Sequence, residues 1–180
     1  GGYGTRLRPY TKKTPKPLLK IKNKEIIRHI IDRAVNFKFQ NFVITTFYKK
    51  GLIKKVLKKK YDFKFKFTNE KKPLGTAGPL SLIKKPKTSF IVSNSDILTN
   101  VNFDEMLNFH YVQKADATIV LKKIQSKNPY GEVKINGLEI LDFYEKKVTE
   151  HFAIAGIYVF SPKVLKKIKQ NENLDMISFL

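Results

Sequence analysis

"NFVITTFYKKGLIKKVLKKKYDFKFKFT", residues 41–68, carries three successive patterns in one short stretch. Residues 41–48 are a β-branched and aromatic run of strand length, the composition of a buried strand. Over 52–61, Leu52, Ile53, Val56 and Leu57 recur at helical spacing with lysines on the other side. From 62 to 68 Phe and Lys alternate with period two, which gives a strand with one wet face. A strand, a helix and a strand in that order form a crossover unit with parallel strands.

The same alternation extends outward. On the N-terminal side, "KEIIRHIIDRAVNF" (24–37) places Ile26, Ile27, Ile30, Ile31 and Ala34 on one helical face. On the C-terminal side, "TAGPLSLIKK" (76–85) reads as a weaker helix and "SFIVSNS" (89–95) as a buried strand. "NFDEMLNFHYVQ" (102–113) is a helix with Asn102 as N-cap and Glu105 three residues on, a capping box in form. Beyond Asp116 the pattern changes to strands at 117–124, 131–135, 138–144 and 153–160, then a helix at 161–170. Asn136-Gly137 joins two of these strands, a strong hairpin signal. The expected fold is α/β: a Rossmann-like open, mostly parallel sheet with helices on both faces, plus an antiparallel, hairpin-rich portion. One domain spans 1–180, with halves at about 1–115 and 116–180. Open sheets of this kind bind ligands beyond the carboxyl ends of their strands, here at 1–17, 68–76, 94–101 and 125–131.

Composition narrows the functional classes. The chain has no cysteine, so thiolate metal sites, disulfides and a Cys nucleophile are excluded, and a cytoplasmic setting is expected. No apolar run approaches the roughly 20 residues of a membrane span, so no membrane partner is expected. The 36 basic against 15 acidic residues give a net charge of +21. Such a charge fits a nucleic-acid or anionic surface, or a general bias toward lysine. Only Arg6, Arg8, Arg28 and Arg33 are arginines. That scarcity weighs against base and phosphate reading by bidentate contacts, and no specific nucleic acid is expected.

The opening stretch, "GGYGTRLRPYTKKTPKPLLKI" (1–21), fits an anion-holding loop. Gly1, Gly2 and Gly4 allow close backbone approach, Thr5 offers a hydroxyl, Arg6 and Arg8 supply charge, and Pro15 and Pro17 flank Lys16. The alternative is a plain turn with a Pro-rich connector. Dinucleotide and P-loop fingerprints do not fit, since Leu7 stands where a third Gly belongs and no GK[ST] ending occurs. The string resembles the signature of the sugar-1-phosphate nucleotidyltransferases, G-G-x-G-T-R-L-x-P-x-T-x-x-x-P-K-P-L. In that family a short strand precedes the first Gly pair, so the resemblance implies a sequence trimmed at its start.

Two further stations carry the resemblance. "NEKKPLGTAGPL" (69–80) is by itself an ordinary strand-to-helix turn or a second close approach, with Thr76 available as a helix cap. It resembles the family's base-recognition loop in its guanylyltransferase form, which implies nucleotide contacts from Glu70, Pro73, Gly75 and Thr76. A carboxylate at Glu70 can accept the N1–H and N2–H of guanine, which favours GTP over dTTP. "FIVSNSDIL" (90–98) ends a strand in Asp96, alone a turn cap or a metal ligand. The resemblance makes it the Mg²⁺ ligand beside the nucleotide phosphates.

On the sugar side, "NPYGEVKI" (128–135) and "FYEKKVTEHFAIAGIYVF" (143–160) resemble the family's sugar-contacting segments. The resemblance implies sugar roles for Gly131, Glu145, Lys146 and Gly156. Lys147 departs from the usual Pro, and Ile154 from the usual Asn or Ser. A second metal-binding Asp of the family would lie past Leu180, and Asp175 is not its counterpart. The implied reaction is attack of a sugar 1-phosphate oxygen on the α-phosphorus of an NTP, with pyrophosphate leaving. Arg6, Lys16 and Asp96 are its catalytic candidates. Its partners are the NTP and sugar 1-phosphate, with self-association common in the family. A non-catalytic nucleotide or nucleotide-sugar module, or a basic nucleic-acid binder, is the alternative class.

Overall fold

The computed structural model describes residues 2–180. In chain order the elements are α1 (Tyr10–Lys13), β1 (Lys20–Ile21), β2 (Lys24–Glu25), α2 (Ile26–Asn36), β3 (Phe42–Thr46), α3 (Lys50–Lys60), β4 (Phe65–Asn69), β5 (Phe90–Ser93), α4 (Phe103–Val112), β6 (Ala117–Lys127), β7 (Glu132–Asn136), β8 (Glu139–Tyr144), β9 (Val148–Phe160) and α5 (Met176–Phe179). Two compact units result: Gly1–Thr118 with Gly156–Leu180, and Ile119–Ala155. The last 25 residues therefore return to the first unit, where the sequence division near 116 grouped them with the second half.

In the first unit β3 and β4 pair in parallel from Phe42↔Phe65 to Thr46↔Asn69, as the crossover pattern requires. Ile27 and Ile31 of α2 and Ile53 and Leu57 of α3 share one core cluster with Leu18. Phe42, Phe63, Phe65 and Phe67 pack against it, and Lys64 and Lys66 of the alternating strand lie exposed. Leu52, expected inward, is exposed, because the buried stripe of α3 is narrowed to Ile53 and Leu57. β9 belongs to the antiparallel portion expected beyond Asp116 and joins the sheet of β5. It lies between β5 and β6 and runs antiparallel to β5, from Phe90↔Phe160 to Ser93↔Ile157. Gly156–Phe160 are all buried, as a central strand covered on both faces requires.

Local chemistry explains several boundaries. Asn102 Oδ1 accepts the backbone N–H groups of Asp104 (3.0 Å) and Glu105 (3.2 Å), which caps α4. Glu105 closes the box on the Asn102 side-chain amide (2.8 Å). Residues 78–82, expected as a helix, form only a 3₁₀ turn, where Pro79 lacks a donor and Gly78 is pinned by the C-terminal segment described below. The 161–170 stretch is likewise 3₁₀ over Pro162–Lys167, with neither a side-chain cap nor an acidic residue at its start.

In the second unit β7 and β8 form an antiparallel hairpin. Its pairing ends at Asn136↔Glu139, so the two-residue turn is Gly137-Leu138, one step beyond the Asn136-Gly137 read from the sequence. Gly137 has φ +59° while Leu138 does not enter the left-handed region. A positive φ at the first central position alone suits the twist of a type II′ connection.

Candidate active site

The N-terminal loop is a stack of short turns. Gly4 sits at φ +65° and starts a 3₁₀ turn over Thr5–Leu7. Its carbonyl accepts the Leu7 N–H (3.0 Å) and the Thr11 hydroxyl (2.7 Å). A Cβ at Gly4 would meet Thr11 Cγ2 at 3.0 Å and Lys16 Cβ at 3.6 Å, so the absent side chain lets the loop close. The one helical turn here, α1, lies between Pro9 and Pro15, which confine it to four residues.

The loop is also fastened from outside. Tyr48 Oη donates to the Lys12 carbonyl at 2.9 Å, and Lys49 Nζ donates to the carbonyls of Lys12 (2.8 Å) and Lys13 (2.6 Å). Tyr3 meets Phe47 and Tyr48 edge-on at 5.3 and 5.4 Å. The three anchoring residues, Phe47, Tyr48 and Lys49, directly follow β3, so the crossover unit positions the loop.

Lys16 and Asp96, eighty residues apart in sequence, form an ion pair. Pro15 is buried on one side of Lys16, and the 3₁₀ turn that begins at Lys16 contains Pro17, so the lysine leaves a stiff backbone. Asp96 follows the carboxyl end of β5, where Asn94 N–H donates to the Gly156 carbonyl at 3.0 Å. Gly156 has φ +77°, and a Cβ there would meet Asn94 Nδ2 at 2.6 Å. The absence of a Cβ at Gly156 thus seats Asn94 and sets the course of the chain into Asp96. Both side chains of the pair are partly exposed, 37% for Lys16 and 28% for Asp96, so the pair is reachable. Gly2, Thr5 and Arg6 are exposed. Gly1 lies outside the described residues.

Mg²⁺ fits Asp96 in its chemistry. A hard dication takes carboxylate oxygen, and Asp96 already faces a cationic group in Lys16. Among the described residues no cluster of three or more His, Asp or Glu could hold a metal.

The second loop is built differently. Glu70 is 3% exposed; its N–H donates to the Thr46 carbonyl (3.0 Å), and its Oε2 accepts the Leu74 N–H (3.2 Å). Gly75 (φ +77°) and Gly78 face the C-terminal backbone: a Cβ would meet Leu174 O at 2.5 Å and Glu172 O at 2.4 Å, respectively. Thr76, read as a cap for its own helix, instead accepts the Met176 N–H at 2.6 Å and caps α5, a hundred residues away. Pro73 is exposed, and its carbonyl accepts Asn173 Nδ2 at 3.4 Å.

In the second unit Glu145 and Lys146 are exposed neighbours 3.8 Å apart. Lys147 Nζ lies 4.3 Å from the centre of the Tyr144 ring, within cation–π range. Gly131 is exposed, and Glu132, Val133, Lys134, Tyr144 and Lys147 line a cavity of about 350 Å³. Sequence reading did not single out Thr11, Tyr48, Lys49 or Asn94. Thr11 alone had a signal, the threonine of the P-x-T step in the opening motif.

Comparison with known proteins places the fold in a family. Mannose-1-phosphate guanylyltransferase catalytic subunit beta of Danio rerio is 36% identical over 94% of this chain and 50% of its own length. Mannose-1-phosphate guanyltransferase of Hypocrea jecorina is 37% identical over the same shares. The chain thus spans about half the length of these curated relatives. Among solved structures, HddC from Yersinia pseudotuberculosis complexed with GMP-PN superposes with a TM-score of 0.71 at 22% identity, covering 98% of this chain and 82% of that one. The family model for nucleotidyl transferases matches residues 1–178. With that match running over nearly the whole sequence, on an α/β fold, the chain belongs to the nucleotidyl transferase family.

Proposed function

We propose that the protein transfers GMP from GTP to a sugar 1-phosphate, mannose 1-phosphate being the first acceptor to test, and releases pyrophosphate. The observation that carries this reading is the Lys16–Asp96 pair beside the Gly4 turn. It joins a partly exposed positive charge to a carboxylate at a sheet's ligand-binding edge. The identity of about 36% with mannose-1-phosphate guanylyltransferases supports the choice of base and sugar.

In this reading little covalent chemistry falls to the protein, and positioning with charge neutralisation dominates. Lys16 swings from Asp96 to the α-phosphate when nucleotide arrives. Arg6, exposed and outside the pair, neutralises the departing pyrophosphate, and Gly2, Gly4 and Thr5 offer backbone and hydroxyl donors. Asp96 would hold Mg²⁺, which when bound neutralises phosphate charge. Glu70, Pro73, Gly75 and Thr76 form the base loop; Gly131, Glu145, Lys146 and Gly156 serve the sugar. A cytoplasmic enzyme that self-associates and needs no nucleic acid completes the proposal. Among the described residues no helix is long and apolar enough to cross a membrane.

Pyrophosphate release is the test, with GTP, ATP, UTP, CTP and dTTP each offered with mannose 1-phosphate and Mg²⁺. Turnover greatest with GTP is expected. Equal silence with all five nucleotides, despite a folded protein, overturns the reading.

A further inference from the structure

We infer that residues 173–176 act as a strap that positions the base loop and thereby sets nucleotide discrimination. This rests on the nucleotidyl transfer reading above. The strap makes five hydrogen bonds to the six residues 73–78. Leu174 N–H donates to the Leu74 carbonyl (3.0 Å), and the Leu174 carbonyl accepts from both Ala77 N–H (2.9 Å) and Gly78 N–H (3.0 Å). Met176 N–H donates to Thr76 Oγ1 (2.6 Å), and Asn173 Nδ2 to the Pro73 carbonyl (3.4 Å).

Leu74 is the junction. Its carbonyl takes the strap, while its own N–H donates to Glu70 Oε2 at 3.2 Å. One residue therefore links the strap to the carboxylate proposed to read the base. Leu74 itself is 1% exposed, so it cannot pivot freely. The strap in turn is fixed to the core: Met176 is 3% exposed, and the Phe179 ring lies 5.9 Å from that of Phe160 at the end of β9.

A glycine-bearing loop is conformationally soft when isolated. Selecting one base over another needs its polar groups held to a fraction of an ångström. The strap supplies that restraint from the side away from sequence neighbours. None of those five hydrogen bonds goes to Lys16 or Asp96, so loosening the strap should blur base choice more than it slows transfer.

The test uses the full chain and two variants. Leu174→Pro deletes the N–H that holds Leu74, and Asn173→Ala removes only the side-chain contact to Pro73. Loss of one such hydrogen bond corresponds to a factor of about 3 to 10. For Leu174→Pro the KM for GTP should rise by about that factor with kcat changed less than about twofold, and the preference for GTP over ATP should fall in parallel. Asn173→Ala should shift both in the same direction by less. In the unaltered chain, GTP should slow hydrogen exchange at the Leu174 and Met176 amides, since coupling is reciprocal.

A folded Leu174→Pro variant with unchanged GTP-to-ATP preference overturns the proposal. So does an equal loss with every nucleotide accompanied by a lower melting temperature. Should Leu174→Pro not fold, Asn173→Ala and the exchange measurement decide in the same terms. If the unaltered chain releases pyrophosphate from no nucleotide, the transfer reading fails by itself. The GTP-dependent exchange at Leu174 and Met176 then still judges the strap.

Discussion

Two glycine-rich turns in this molecule look alike in sequence and do opposite things. At the first, a Cβ on Gly2 would meet nothing within 4 Å, and Gly4 closes only against the side chains of Thr11 and Lys16. At the second, Gly75 and Gly78 face backbone oxygen at 2.5 and 2.4 Å. The first turn spends its glycines on an open, hydrogen-bonded curl beside an ion pair. The second uses them to let one segment of chain cross another. Glycine thus marks close approach without saying whether ligand or protein approaches.

That contrast can be broken by substitution. The largest effect should fall on transfer at the first turn. Asp96→Asn and Lys16→Met should each lower the rate of pyrophosphate release by about 10²–10³. Both groups are partly exposed, so the denaturation midpoint should stay nearly fixed. A large drop in stability instead would make the pair structural. At the second turn the order reverses. Gly78→Ala and Gly75→Ala should each destabilise by roughly 3 kcal/mol, since a backbone oxygen cannot step aside as a side chain does. Urea denaturation that finds either variant within about 0.5 kcal/mol of the parent would mean the crossing is loose.

Smaller changes sharpen the picture. Thr11→Val keeps the buried shape and removes the hydroxyl donated to the Gly4 carbonyl. It should cost about 1 kcal/mol in a denaturation experiment. Gly2→Ala should leave stability within about 0.5 kcal/mol, as for an open surface position. Its KM for GTP should rise, because the added methyl occupies space proposed for nucleotide. An unchanged KM would remove Gly2 from the binding surface.

Much of the fold was legible because its signals are local. The Phe and Lys alternation over 62–68 needs only the two-residue repeat of a strand to divide core from water. The isoleucines of 26–31 need only the helical repeat, and Asn102 with Glu105 needs only the four donors at a helix start. Errors arose where distant chain decided the outcome. Thr76 was read as the cap of its own helix, yet its acceptor serves Met176. The 76–85 helix failed because residues 172–174 occupy the ground beside Gly78. In the hairpin the glycine was right and the register was off by one, since cross-strand pairing fixes which residues make the turn.

By itself the sequence determined the alternation of strands and helices, the glycine turn at the N-terminus and the aspartate at a strand end. Those features depend on side-chain polarity, backbone freedom and spacing along a few residues. Only the tertiary structure decided that Lys16 meets Asp96, that Asn94 rests on Gly156 and that Leu174 lies over Gly75. Each is a contact between segments at least 60 residues apart. Such contacts depend on how the core brings segments together in space, a property no local window of residues contains.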